Sequence, residues 1–199
     1  MADKDRLESY PAWSPDGRSI AYLSDESGEY AIHLIDPLGK KEAIQLTQHE
    51  QGYRHTLRWS PDSRKIAFAD QTLRFFYVDV GTKKIVEVDR SASEPTDIGI
   101  DLKPIHDYTW SPDSRFIAYS KIDADLVSRI YVHCLEGSRS HCVSGALFND
   151  FGPVFTRDGK HLLFISNRRF DPTYCDFEWE MVYKRAAGLY ALSLQAVGD

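Results

Sequence analysis

Serine recurs with an aspartate two residues on at Ser14 and Asp16, Ser60 and Asp62, and Ser111 and Asp113, in a chain with seven histidines and 30 acidic residues. These are the ingredients of a hydrolytic triad, in which a base takes the serine proton and a carboxylate orients the base. Such a nucleophile needs a local device that exposes it, and no Gly-x-Ser-x-Gly elbow occurs. Each serine instead opens Ser-Pro-Asp followed by Gly17, Ser63 or Ser114, and Thr156-Arg157-Asp158-Gly159 repeats the pattern. Ser first, Pro fixing φ second, Asp third and a residue free to take positive φ fourth describe a type I turn. The recurring serines and aspartates, Asp158 included, are therefore read as turn formers rather than as nucleophiles or cation ligands.

A second candidate is His133, Cys134, His141 and Cys142 in "HCLEGSRSHC". Zinc would need all four on one point. On a hairpin, adjacent residues face opposite sides of the sheet, so at most two ligands meet. No Gly-rich phosphate loop is present, and no metal or cofactor is implied.

The segment from Asn167 to Gly188 is the better functional candidate. It joins two strands that elsewhere need only a few residues, and long loops in compact domains are usually functional or disordered. Aromatic anchors and arginine are what binding hot spots use, which singles out Arg168, Arg169, Phe170, Tyr174, Glu178 and Trp179 as the binding set. The same composition also suits packing on the parent fold or docking a neighbouring domain.

The elements that position this segment follow from a fourfold repeat. "PAWSPDGRSIAYLSD", "LRWSPDSRKIAFAD", "YTWSPDSRFIAYSK" and "PVFTRDGKHLLFIS" place Trp13, Trp59, Trp110 and Phe155 at intervals of 46, 51 and 45 residues, the period of propeller blades. After each turn comes a run apolar on both faces, "SIAYL", "KIAFA", "FIAYS" or "HLLFI", rich in β-branched and aromatic residues. Strands covered on both sides suit twisted four-stranded sheets packed between neighbours. Third strands end in "AIHLID", "FFYVDV", "RIYVHC" and "GLYALSL"; fourth strands follow as "EAIQLT", "KIVEVD" and "HCVSG" in the first three copies alone. The expected fold is all-β: a propeller of about four four-stranded blades near 8–50, 54–90, 105–145 and 150–195, incomplete or part of a six- to eight-bladed ring, with an insertion at 167–188. Trp13, Trp59 and Trp110 are expected in the core, and a short helical turn is expected near Glu178 to Lys184. An open arc would expose apolar faces and strand edges. It would sit inside a longer parent, pair with a second copy, or close as four blades.

Bulk properties exclude several classes. With 42% hydrophobic residues the chain can bury a sizeable core. A formal net charge of -6 without basic clusters argues against nucleic acid. No apolar run approaches the roughly 20 residues that cross a bilayer, and "MADKDRLESY" has no signal-peptide core, which argues against a membrane. Cys134, Cys142 and Cys175 are too few for a disulfide framework, which fits a reducing, cytoplasmic setting.

"WSPDGRSIAYLSD" followed by "IHLID" and "IQLT" resembles the WD40-like PD40 repeat shared by TolB, tricorn protease and prolyl oligopeptidase propellers, over nearly the whole chain. The insertion, from Ser166 to Leu194, looks like the closing region of the seven-bladed propeller in tricorn-type proteases. The resemblance implies a non-catalytic propeller segment of a serine peptidase that gates or guides peptides. The implied partners are peptides or the protease domains of the parent, with a homodimer through open blade faces as a further option. No position here matches that family's catalytic serine, its base or its oxyanion hole. The alternatives are a TolB-like scaffold for protein partners and the propeller of a prolyl oligopeptidase.

Overall fold

The computed structural model describes residues 8–26, 28, 30–48, 54–91, 105, 107–145, 147–168, 172–174, 181–183 and 187–194. Among the described residues every regular element is a strand, and no helix is long and apolar enough to cross a membrane. The first sheet holds β1 (Glu8–Trp13), β2 (Ile20–Ser24), β3 (Ala31–Ile35) and β4 (Ile44–Gln45). The second holds β5 (Arg54–Trp59), β6 (Lys65–Asp70), β7 (Arg74–Asp79) and β8 (Ile85–Arg90). In the third, β9 (Tyr108–Trp110), β10 (Phe116–Ile122), β11 (Ser128–Cys134) and β12 (Arg139–Cys142) follow in the same order. The fourth has three strands, β13 (Asp150–Phe155), β14 (His161–Ser166) and β17 (Gly188–Ser193), and between the last two β15 (Pro172–Tyr174) pairs with β16 (Met181–Tyr183). All pairings are antiparallel meanders, so the expected all-β blades are present. Met181, Val182 and Tyr183 form a strand where a helical turn was expected.

The repeated turn works as its sequence implies, with one addition. The amides of Gly17, Ser63, Ser114 and Gly159 each donate to the carbonyl three residues back at 2.9 Å. Inside the turn Ser14, Ser60, Ser111 and Thr156 donate their hydroxyls to Asp16, Asp62, Asp113 and Asp158 at 2.6 Å. The Ser14 hydroxyl and the Arg18 amide hold the Asp16 carboxyl below the usual range, and Thr156 and the Lys160 amide do the same for Asp158. The fourth position is left-handed in every copy, with φ of 70° at Gly17, 60° at Ser63, 60° at Ser114 and 69° at Gly159. A serine there costs about 1 kcal/mol of backbone strain. The strain comes with a contact between sheets: Ser63 Oγ accepts the Asp16 amide at 3.1 Å, and Ser114 Oγ accepts the Asp62 amide at 3.0 Å.

Three core clusters occupy the three joints between successive sheets. Ala21, Leu23, Ile32 and Leu34 meet Ile66, Phe68, Phe76 and Val78 at the first. Ala67, Phe75 and Tyr77 meet Tyr108, Trp110, Ile117 and Tyr119 at the second. Ala118 and Ile130 meet Phe155, Leu162, Phe164 and Tyr190 at the third. Indole N–H groups tie the first two joints, Trp59 to the Ala12 carbonyl at 2.9 Å and Trp110 to the Arg58 carbonyl at 3.0 Å. The second joint also takes the Tyr108 hydroxyl onto the carbonyl of Thr56, a left-handed residue in the β5 bulge.

A polar network covers the second joint. Asp89 accepts the Tyr119 hydroxyl at 2.6 Å and Lys121 Nζ at 2.9 Å. Asp123 accepts Arg129 at 2.7 Å and the Tyr131 hydroxyl at 2.7 Å, and Arg129 also clasps Asp125. Burial and the neighbouring Asp89 carboxylate push the Tyr119 phenol well above its ordinary value, while the Arg129 guanidinium draws Asp125 down to about 2.

The two ends of the series differ from its joints. Trp13 is 61% exposed, contrary to its expected place in the core, because among the described residues no sheet covers the face that bears it. Leu189 is 72% and Val154 54% exposed on the opposite end, the uncovered face of the fourth sheet. No core cluster joins the fourth sheet to the first among the described residues.

Candidate functional site at the root of the insertion

The chain leaves β14 at Asn167 and re-enters the sheet at Gly188. Strand register sets up the exit: β13 and β14 pair Asp150 with Ser166, and the Asn167 amide donates to the Asn149 carbonyl at 3.1 Å. Arg168 follows at once and turns back over the sheet. Its Nη2 donates to Asp150 Oδ2 at 3.1 Å and its Nε to Ser166 Oγ at 3.0 Å. Three rings surround the guanidinium, with Cζ 5.0 Å from the centroid of Tyr190, 5.4 Å from Phe164 and 6.0 Å from Phe148.

Asp150 and Ser166 are fully buried, and Asp150 Oδ1 has no hydrogen-bond partner among the described residues. A buried carboxylate survives only when a cation meets it, so losing one partner of such a pair costs about 3–5 kcal/mol. Arg168 therefore fixes the start of the insertion. Gly188 fixes its end: a Cβ there would lie 3.1 Å from Tyr190 Cε2 and would push the ring that stacks on Arg168. The neighbouring blade braces the same corner through Ser128, whose hydroxyl donates to the Asp150 carbonyl at 2.8 Å and whose amide donates to the Asn149 side chain at 2.9 Å.

Of the six residues singled out from sequence, Arg168 is thus placed at the root, with its Nε and Nη2 donating to the sheet. Tyr174 lies on β15, paired with Met181, and its backbone alone is described. Arg169, Phe170, Glu178 and Trp179 lie outside the described residues. Sequence reasoning missed Asp150, Ser166 and Tyr190. The only signal for them was a buried-strand position occupied by an acid, which becomes visible once β13 and β14 are in register.

The other two sequence candidates are structural in form. The recurring serines spend their hydroxyls on turn carboxylates and amides. His133 is buried with Nδ1 2.9 Å from Ser140 Oγ, and burial lowers its pKa despite Asp89. Its β12 partner in register is Ser140, while His141 and Cys142 pair with Val132 and Tyr131. Among the described residues no group of three or more His, Cys, Asp or Glu could hold a metal.

Comparison with known proteins agrees with this architecture. Tricorn protease homolog 1 of Streptomyces coelicolor is 28% identical over 183 residues, which are 89% of this chain and 16% of that protein. The crystal structure of the tricorn protease superposes with a TM-score of 0.76 at 20% identity, covering 89% of this chain and 17% of the other. TolB from Acinetobacter baumannii superposes at 0.57 and 17% identity over 94% of this chain and 43% of the other, a likeness of fold. The chain thus spans about a sixth of the tricorn proteins it matches. The family model of the tricorn protease second β-propeller domain matches residues 7–197, and the chain belongs to that family.

Proposed function

We propose that this chain is a non-catalytic propeller segment of a tricorn-like peptidase, and that it guides extended peptides toward the protease domains of its parent. The observation that carries the reading is the match to a tricorn propeller domain over residues 7–197. A non-catalytic role is supported by the serines, whose hydroxyls are held in turns by aspartates two residues on. The insertion is the proposed contact surface. Arg168, locked between Asp150 and three rings, gives it a rigid base, and Arg169, Phe170, Tyr174, Glu178 and Trp179 supply its contacts.

The test is a fluorescence-anisotropy titration of the chain with labelled unstructured peptides, alongside a folded protein of similar charge. Peptide binding that Trp179→Ala or Arg169→Ala weakens about tenfold, the ordinary size of a hot-spot loss, supports the reading. Binding to a folded partner with none to peptides would replace it with a TolB-like scaffold. No binding of either kind would leave the chain without a guiding role.

A further inference from the structure

One side chain on the inner wall departs from the repeat without serving it. β1 lies against β5 and β9 against β13, so the first strands of the blades form the inner side of the arc. On these strands the residue before the repeat aromatic is Ala12, Arg58, Thr109 or Val154, and Arg58 alone of the four is charged. Its carbonyl does what that of Ala12 does, accepting an indole N–H, here from Trp110 at 3.0 Å. Its side chain is spent on nothing comparable. The guanidinium is exposed, with Cζ 5.9 Å from the centroid of the Tyr108 ring, and among the described residues it makes no hydrogen bond or ion pair.

Arg58 borders a depression of about 340 Å³ to which three blades contribute, a volume within the range of about 300–1,000 Å³ that ligand sites use. Pro15 comes from the first blade, Trp59 and Pro61 join Arg58 from the second, and Thr109 and Trp110 come from the third. The two indoles are fixed by their hydrogen bonds across the joints, and the two prolines by the repeated turns. The walls therefore stand in place before anything binds. Apolar walls with a few polar groups at the edge give a ligand orientation at little ordering cost, and here those groups are the Arg58 guanidinium and the Thr109 hydroxyl.

We propose that this depression is a subsite for an acidic side chain, glutamate or aspartate, of an extended peptide, with Arg58 as its anchor and the prolines and indoles covering its methylenes. Charge selects the class. A guanidinium fork with no acid of its own meets a carboxylate in two parallel hydrogen bonds. A phosphate would call for further cations, and no second cation is among the lining residues. A terminal carboxylate would bring its own amide N–H against proline and indole faces, where an unmet donor is costly; a side-chain carboxylate brings methylenes alone. The inference rests on the peptide-guiding reading and adds a charge preference to it, at a site on the first three blades rather than on the insertion.

The experiment is a fluorescence-anisotropy titration of the chain at low ionic strength with labelled peptides of one otherwise apolar sequence, blocked at the N-terminus. One carries a central glutamate and an amidated C-terminus, the second has glutamine in its place, and the third has that glutamine with a free C-terminal carboxylate. The glutamate peptide should bind about tenfold tighter than the amidated glutamine peptide, the worth of a charge-assisted hydrogen bond, and the gap should shrink as salt rises. Arg58→Gln, at an exposed position and checked for folding by far-UV circular dichroism, should close the gap and leave the glutamine peptide unchanged. Arg58→Glu should reverse the preference in favour of a peptide with lysine at that place. Equal binding of the glutamate and glutamine peptides, or a gap that survives Arg58→Gln, would overturn the subsite and leave the guiding reading standing. A gain confined to the free C-terminus would assign Arg58 to chain ends and overturn it as well. Affinity that Arg58→Gln lowers and Trp179→Ala does not would keep the subsite and remove the insertion from the contact surface, whereas no binding of any peptide would overturn both.

Discussion

The joint between the second and third blades and the joint between the third and fourth are built from the same repeat and held differently. At the former, Trp110 reaches the Arg58 carbonyl, Ser114 reaches the Asp62 amide, and the Asp89, Lys121 and Asp123 network lies across the top. At the latter, the Phe155 ring has no N–H to give and Gly159 has no hydroxyl, so both of these tethers are missing. A cavity of about 380 Å³ opens there, lined by Asp113, Phe116, Val132, Phe155, Gly159 and Leu194. Apolar packing is common to both joints. Two side-chain positions per repeat therefore decide whether the turn end of a joint is tethered, and the blade that carries the insertion lacks both, its hydrogen bonds to the third blade coming instead from Ser128 at the insertion's root.

The largest test of this difference is truncation of the two repeat aromatics. Trp110 is buried and hydrogen-bonded, so Trp110→Ala should lower stability by about 3–5 kcal/mol in urea unfolding at one fixed protein concentration. Phe155 is half-buried beside an existing cavity. Its alanine variant should cost about 1–2 kcal/mol less than that of Trp110. Equal losses would mean that the tether contributes nothing beyond packing.

A smaller effect is expected from the polar lid of the second joint. Asp89→Ala removes the acceptor of both Tyr119 and Lys121, whose side chain is 13% exposed, and should cost about 2 kcal/mol. Because the pair is largely buried, 1 M salt should erase little of that cost, whereas a surface pair would lose most of its worth. A strongly salt-dependent loss would place the network in solvent.

The same joint should also be the one that responds to mild acid. Burial lowers the pKa of His133, beneath the Tyr77 ring at 6.4 Å, so the folded state favours the neutral imidazole. Its contribution is complete above the unfolded value near 6.5 and is lost as pH falls from there through the lowered folded value. The melting temperature should fall between pH 7 and 5, and His133→Val, which installs the residue found at the matching Val78 position, should flatten that slope. The depressed carboxyls of Asp16, Asp125 and Asp158 act later, their stabilisation present above about pH 4 and lost as pH drops below it. A slope unchanged in the valine variant would assign the acid response elsewhere.

How far the sequence reads differs between the frame and the site. The turns, the strand order and the all-β class were legible because Ser-Pro-Asp and the two-sided apolar runs encode local geometry. The exposure of Trp13 was not legible, since a repeat position implies a neighbour without saying whether one is present. The Asp150 and Arg168 pair was hidden for another reason. Its members are 18 residues apart, and only the register of β13 on β14 brings the acid beneath the arginine. Ser63 and Ser114 occupy the turn position that takes positive φ, and a single repeat does not show that their hydroxyls make contacts between blades.

Those serines supply the finest test of the comparison. Gly159 holds φ of 69°, close to the 60° of Ser114, and a Cβ built on it finds nothing nearer than Pro112 Cδ at 4.0 Å. Gly159→Ser should therefore fit without displacement and place a hydroxyl toward the Asp113 amide, as Ser114 does toward Asp62. The hydrogen bond adds about 0.5–1.5 kcal/mol, and loss of glycine freedom in the unfolded chain adds a further fraction. Against this stands about 1 kcal/mol for a left-handed serine. The net should be a gain of a few tenths of a kcal/mol, mirrored by a similar loss in Ser114→Gly, both read as shifts of the urea midpoint with an unchanged slope. Because alanine at the same position meets the same backbone cost without a hydroxyl, the difference between Gly159→Ser and Gly159→Ala isolates the tether. A destabilised Gly159→Ser with a neutral Ser114→Gly would mean that the serines are tolerated substitutions and nothing more.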